Sequence, residues 1–294
     1  MDEAIRKAGV LIEALPYIRS YRGKTFVIKL GGAAMEERRV LDDLLEDIVF
    51  LATVGIRPVL VHGGGPDISR TMEQRGLKPT FVRGHRVTDA ATLAVVREVL
   101  GEINADLVRR LRLLHAEAEG IVGEPPGALV GRRKVFKERQ PDGTEVEVDL
   151  GLVGSIEAID HAFFSGLIEH GVIPVVAPLA RGRSGELLNC NADTAASFLA
   201  VALGAEKAVF LSDTHGILTD PGDERSLASS LTGADVERLI KAGVITGGML
   251  PKVSACLAAL EGGVRKAHIV DGRIPHAVLL EIFTDKGAGT QILR

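Results

Sequence analysis

The chain has 294 residues, 46% of them hydrophobic, with no Trp, 4% aromatics and a net charge of −4. That length allows one large α/β unit or two lobes around an aliphatic core. The absence of a long basic run argues against nucleic acid as a partner, and Cys190 and Cys256, far apart and outside any CxxC pair, argue against a disulfide framework or a zinc site and for a reducing cytoplasm.

Residues 3–15 place Ile5, Ala8, Ile12 and Leu15 on one helical face, with Glu3, Arg6, Lys7 and Glu13 elsewhere. Such a helix packs on its own domain or on another subunit, and the pattern leaves both open. The N-terminal segment carries acids and bases throughout, so neither a signal peptide nor a membrane span is expected. Residues 25–30 read as a strand ending at Gly31 and Gly32, and 40–54 as a helix. A second strand, 57–61, ends at Gly63, Gly64 and Gly65, and 67–75 continues as helix. Residues 89–114 form a long helical stretch with a weak point expected at Gly101. Residues 134–148 read as two short strands about the turn signal Pro141-Asp142-Gly143. Strands follow at 173–177, 208–211 and 267–270, and helices at 193–203 and 253–261. Repeated βα units imply a mainly parallel sheet with helices on both faces. Ligands of such folds sit at the carboxyl ends of strands, so both glycine turns belong on that edge. The segment "ARGRSGE" at 180–186 is the expected lobe boundary.

Three adjacent glycines after a strand cost chain entropy, and the usual gain is close approach of backbone N–H groups to an anion. A Walker A loop is excluded: "GKT" at 23–25 precedes a strand, and position 18 is Ile. Neither glycine cluster has dinucleotide GxGxxG spacing. "HGGG" at 62–65 matches an esterase oxyanion loop, but no G-x-S-x-G elbow accompanies it.

What remains is an ordered set of short motifs: "VIKLGG" at 27–32, "HGGGP" at 62–66, "GHRVTD" at 84–89, "LNCNADTAA" at 188–196, "LSDTHGIL" at 211–218, "GGMLPK" at 247–252 and "GAGTQI" at 287–292. Together they resemble the amino acid kinase family over nearly the whole chain from Thr25. Within it the match is to the branch that phosphorylates the γ-carboxylate of N-acetyl-L-glutamate in arginine biosynthesis. The resemblance implies a three-layer αβα sandwich with an extra N-terminal helix. It divides the chain into an oligomerisation helix (1–22), an acyl-substrate and dimerisation lobe (23–182) and an ATP lobe (183–294).

By the same resemblance, Lys29 and Lys252 stabilise the transferring phosphoryl group and Asp193 holds the two lysines in place. Phosphoryl transfer is served mainly by such positioning and charge stabilisation. On the residues alone, alternatives stay open: Lys29 as a strand-end lysine reaching water, Lys252 as a surface lysine, Asp193 as a helix N-cap. Arg86 is the candidate for a substrate carboxylate, since guanidinium is the preferred fork for one; the alternative is a surface arginine before the cap Thr88 or Asp89. Gly64 and Gly65 are expected to offer N–H groups to the acceptor carboxylate, and Asn189 to hydrogen-bond the substrate. Gly31, Gly32, Asp213, Gly248 and Met249 line the nucleotide side. The implied cofactor is ATP with Mg²⁺, without an all-protein metal cage. His62 reads as a strand-end residue supporting its loop.

The chain departs from the family pattern at Arg83, His85, Asp67 and Ser69, all near the acyl side. A sibling kinase for another acidic or N-blocked amino acid, and a silent amino-acid-binding regulator, therefore stand as alternatives. The helix at 3–15 and the stretch 267–290 also resemble the arginine-sensitive branch. That implies a trimer of dimers inhibited by L-arginine, with His268, Glu281, Gly287 and Lys207 near the effector. Glu281 as a solvated helix residue is the simpler alternative.

Overall fold

The computed structural model describes residues 1–139, 145–284 and 286–294. Helix α1 (Asp2–Tyr21) runs beyond the expected span and through Pro16. Ile5, Val10, Leu11 and Ile12 on it are exposed. Its last turns dock, with Tyr17 edge-on to Phe283 and Tyr21 edge-on to Phe26.

Strand β1 (Thr25–Leu30) leads to α2 (Gly32–Glu36) and α3 (Arg38–Thr53), and β2 (Arg57–His62) to α4 (Gly65–Gln74). A small hairpin, β3 (Phe81–Val82) and β4 (His85–Arg86), precedes α5 (Ala90–Leu113). Helix α5 passes through Gly101 without interruption, correcting the weak point expected there. After β5 (Ala118–Ile121) come β6 (Leu129–Arg139) and β7 (Glu145–Ile159), an antiparallel pair. The turn signal Pro141-Asp142-Gly143 lies outside the described residues. Then follow α6 (His161–Glu169), β8 (Ile173–Val176), β9 (Leu179–Gly182), β10 (Leu187–Cys190), α7 (Ala192–Ala202) and β11 (Lys207–Ser212). The chain closes with β12 (Ser230–Thr232), α8 (Gly233–Lys241), α9 (Met249–Glu261), β13 (Lys266–Asp271), α10 (Ala277–Phe283) and β14 (Thr290–Leu293).

The main sheet has the order β12-β14-β13-β11-β1-β2-β8-β5. β13 and β14 pair antiparallel, and the other neighbours are parallel. The segment 180–186 covers the end of β9 and the turn at 183–186 into β10, and these two strands close with β6 and β7 into a small barrel.

Alternation along β1 builds two cores. Phe26, Ile28 and Leu30 pack on the α3 and α10 face with Leu44, Ile48 and Val278. Val27 packs on the other face with Ala196 and Leu199 of α7. Side chains two apart share a face of a strand, so Lys29 points toward α7. The register Leu30↔His62 sets the two glycine turns side by side at the carboxyl edge. Gly31 is required there, because a Cβ would collide with the carbonyl oxygen of Leu211 on β11.

Candidate active site

Three cavities meet along that edge. The first, of about 280 Å³, is lined by Gly63, Gly64, Gly65, Arg86, Asn189 and Asp193, among others. The second, of about 680 Å³, is lined by Gly31, Ser212, Asp213, Lys252 and Arg273, and shares Lys29, Gly32 and Pro66 with the first. The third, of about 370 Å³, runs from Thr214 to Met249 and shares Asp213 and Arg273 with the second. Lys29 thus stands at the junction of the first two.

Lys29 Nζ lies 2.8 Å from Asp193 Oδ1, and both side chains are buried. Lys29 is therefore not a lysine reaching water. Nor is Asp193 the cap of α7: Asn191 takes that role, its side chain accepting from the Thr194 N–H at 2.9 Å. That leaves the Asp193 carboxylate free to face Lys29, and Oδ1 has no aligned hydrogen-bond donor. Lys252 lies in the first turn of α9, half-buried at the second cavity, with Nζ 3.4 Å from the Gly248 carbonyl. Gly248 caps that helix, and Met249 lines the third cavity. The positive end of a helix dipole favours an anion beside Lys252.

Arg86 is 7% exposed, so it is not a surface arginine; Asp89 caps α5 instead, accepting from the Thr92 N–H at 2.7 Å. Its guanidinium donates to Gly65 O at 3.0 Å, to Ser69 Oγ at 2.9 Å and to Met72 Sδ at 3.2 Å, and lies 4.7 Å from the Phe81 ring centroid. Burial lowers its pKa. Among the described residues no carboxylate lies within ion-pairing distance of it. A buried cation without a counter-charge is expensive, and an anion beside it would offset that cost. Asn189 Nδ2 donates to Thr88 Oγ1 at 3.1 Å, which donates to the Arg86 carbonyl at 2.8 Å.

The four departures separate in space. Ser69 touches Arg86 directly, whereas Asp67 pairs with Arg70 on the exposed face of α4. Arg83 and His85 gather on Phe136, and Lys134 Nζ lies 3.0 Å from His85 Nε2.

The four residues assigned to an effector line one separate cavity of about 190 Å³ with Tyr17 and Tyr21 of α1. Glu281 is buried and not a solvated helix residue. Its Oε1 meets His268 Nδ1 at 2.6 Å, and Oε2 accepts from the Ala288 and Gly289 N–H groups at 2.7 and 3.0 Å. Lys207 Nζ meets His268 Nε2 at 3.1 Å and stands 5.1 Å from the Tyr21 ring centroid. Burial pushes Lys207 down to about 8.

Sequence reasoning missed Arg273, whose Nη2 pairs with Asp271 at 2.7 Å while it lines the second and third cavities. The signal was present: Arg273 follows β13 on the same carboxyl edge. It also missed Phe81, which a hairpin of two-residue strands brings under Arg86. Among the described residues, the group of side chains close enough to share a metal ion is Asp43, Glu46 and His276, which line none of the three cavities.

A model of the amino acid kinase family matches residues 24–271. The acetylglutamate kinase of Moorella thermoacetica is 49% identical, covering 98% of each chain. That of Heliobacterium modesticaldum is 46% identical over all of both chains. Among solved structures, the N-acetylglutamate synthase of Neisseria gonorrhoeae, complexed with coenzyme A and N-acetyl-glutamate, superposes with a TM-score of 0.83 at 30% identity over 98% of this chain. The chain spans 63% of that synthase. Carbamate kinase of Giardia lamblia bound to AMP-PNP, at 18% identity and a TM-score of 0.66 over 92% of this chain and 99% of its own, shares the fold. With a matching family model over most of its length and full-length relatives at nearly half identity, the chain belongs to the amino acid kinase family.

Proposed function

We propose that this chain transfers the γ-phosphoryl group of ATP to the γ-carboxylate of N-acetyl-L-glutamate, giving N-acetyl-L-glutamyl 5-phosphate and ADP in arginine biosynthesis. The observation that carries it is Arg86, buried in the first cavity without a carboxylate partner, beside a second cavity rich in cations. Arg86 and Asn189 hold the substrate α-carboxylate. The Gly64 and Gly65 N–H groups face the γ-carboxylate. Lys29, at the junction, neutralises the group in flight, with Lys252 on the nucleotide side and Asp193 orienting Lys29. Gly31 and Gly32 let the ATP phosphates approach, while Asp213 and Met249 flank the nucleoside. Little covalent help is needed in such a transfer, and charge stabilisation dominates.

Ser212, Asp213 and Glu37 are the oxygen donors at the second cavity. They fit a hard cation held mainly by phosphate oxygens and water, with Asp213 the residue to hold it. Mg²⁺, when bound there, supplies neutralisation of the β- and γ-phosphates.

The test is an assay with ATP and, in turn, N-acetylglutamate, glutamate, aspartate and N-acetyl-aminoadipate, trapping acyl phosphate with hydroxylamine. Hydroxamate is expected with N-acetylglutamate. Equal turnover of another acid favours the sibling kinase, the alternative raised by the departure at Ser69 beside Arg86. No hydroxamate with any acid would leave a non-catalytic sensor.

L-arginine is the proposed feedback inhibitor, in the cavity of Lys207, His268, Glu281 and Gly287. The synthase from Neisseria gonorrhoeae was also solved with coenzyme A and L-arginine. The exposed apolar face of α1 supports homo-oligomerisation through that helix, proposed as a trimer of dimers. Removing residues 1–20 should leave smaller, active assemblies without arginine response, checked by light scattering and inhibition curves. Among the described residues no helix is long and apolar enough to cross a membrane. The buried free thiols Cys190 and Cys256 accord with the proposed cytoplasmic location.

A further inference from the structure

His62 ends β2 with its ring fully buried on the side of Leu60 and α5. Asn104, on α5, is buried beside it. Asn104 Nδ2 lies 2.8 Å from the Val175 carbonyl and 3.0 Å from His62 Nε2. A carbonyl only accepts, so the amide atom facing Val175 is the nitrogen. That amide has two hydrogens, one for Val175 and one for the ring. His62 Nε2 must then carry its lone pair, and a neutral imidazole keeps its proton on Nδ1. Nδ1 lies 3.0 Å from the Gly63 carbonyl and donates to it. Burial pushes His62 down to about 4, so the ring is neutral near pH 7.

The Gly63 carbonyl and the Gly64 N–H are opposite edges of one rigid peptide plane. Tying the carbonyl to a buried ring turns the N–H away from that ring, and Gly63, Gly64 and Gly65 all line the first cavity. The flanking backbone groups are held separately. Gly63 N–H donates to Leu30 O at 3.4 Å, and Ile68 N–H to Gly64 O at 2.8 Å. Glycines on both sides leave the intervening peptide free to rotate without a tether. A Cβ at Gly64 would lie 2.9 Å from Ile103 Cδ1, so a side chain there requires that side-chain end to shift.

We propose that Asn104 and His62 form a hydrogen-bond relay that aims the Gly64 N–H at the acceptor carboxylate, making His62 a positioning residue for phosphoryl transfer. The inference builds on the kinase reaction proposed above. The relay acts on the transition state more than on ground-state binding, because Arg86 and Asn189 grip the substrate elsewhere.

The test compares His62→Leu, His62→Asn and Asn104→Leu in the full chain. His62→Asn keeps an amide N–H near the place of Nδ1. Asn104→Leu leaves His62 intact but releases its tautomer, and Asn104 lines none of the three cavities. The readouts are kcat, both KM values, thermal midpoint, and affinity for ADP–aluminium fluoride with N-acetylglutamate. His62→Leu and Asn104→Leu should each lower kcat by about 10²-fold, as for a misaimed catalytic group. Their KM values should hold within about 3-fold, with the fluoride complex weakened in proportion to kcat. His62→Asn should recover at least a tenth of parental kcat. Parental kcat in folded Asn104→Leu, or equal losses in His62→Asn and His62→Leu, would overturn the relay. If variants fail to fold, ¹⁵N spectra of the parent decide. The Nδ1–H tautomer should persist from pH 5 to 8; an Nε2–H tautomer or a titrating ring overturns the relay. A parent inactive on N-acetylglutamate would instead fault the reaction assignment, which the spectra do not touch.

Discussion

The cleft and the separate cavity beside Tyr17 and Tyr21, the rear cavity, both bury charge, but they treat it differently. In the rear cavity Lys207, His268, Glu281 and two backbone N–H groups answer one another in an unbroken chain of hydrogen bonds. In the cleft Arg86 has only neutral partners, and Lys252 has one long contact to a carbonyl. A self-satisfied cluster folds to the same state with or without a ligand. A cationic pocket that the protein leaves uncompensated is completed by an anion. The cleft is therefore where substitution should change chemistry, and the rear cavity where it should change response.

The largest effect that bears on this contrast is expected at the cleft lysines. Lys29→Ala and Lys252→Ala should each lower kcat by about 10²-fold or more while the protein stays folded, as for other lost electrostatic stabilisers. Asp193→Ala and Lys29→Ala, which break the same buried pair from opposite sides, should cost stability as well. Removing one partner of a buried pair typically costs about 3–5 kcal/mol, because the other charge is left uncompensated. Steady-state kinetics and denaturant melts check both. A Glu281→Gln variant with an equal fall in kcat would erase the distinction between the two regions.

How far these regions were legible in the sequence follows from how local their signals are. The strand at 25–30 and both glycine turns could be read because β-formers run directly into glycine. Lys29 could be placed against α7 once Val27 was known to face it, since the strand period is two. Asn191 and Asp193 could not be told apart as caps: both lie at the helix start, and only the backbone decides which side chain meets the Thr194 N–H. The interruption expected at Gly101 failed because tertiary packing of Val96, Leu100 and Leu107 holds α5 together. Arg86 looked like a candidate fork, but its burial depends on Phe81, Ser69 and Met72, which no periodicity joins to it. The short β3, β4, β12 and β14 strands owe their form to neighbours distant in sequence, so they left no pattern to read.

A smaller effect sharpens the acyl half of the cleft. Arg86→Lys keeps the charge but loses the planar fork, and a point charge cannot reproduce a bidentate grip. KM for N-acetylglutamate should rise by about 10-fold or more, the worth of a charge-assisted hydrogen bond, with KM for ATP nearly unchanged. Initial-rate kinetics with each substrate varied in turn give the answer. A rise confined to ATP would move Arg86 to the nucleotide half.

The smallest effect expected is a pH dependence of the rear cavity. Burial holds Lys207 at about 8, well under the usual lysine value, with Lys266 lowering it further. A depressed lysine means that the folded chain binds fewer protons than the unfolded one between about pH 8 and 10.5. Stability contributed by this group should therefore rise with pH through that window. The same charge repels an incoming guanidinium, which keeps its own charge throughout. Raising the pH from 7.0 to 8.5 neutralises much of Lys207 and should tighten arginine inhibition by about 3-fold or more, given the strength of a like-charge contact at partial burial. The stem of Lys207→Met keeps most of the packing on Tyr21 but carries no proton, so its inhibition curve should lose that dependence. Inhibition curves at half-unit pH steps, for parent and variant, decide it. A parental curve that weakens toward pH 8.5, or a variant that keeps the parent's slope, would show that Lys207 does not face the effector.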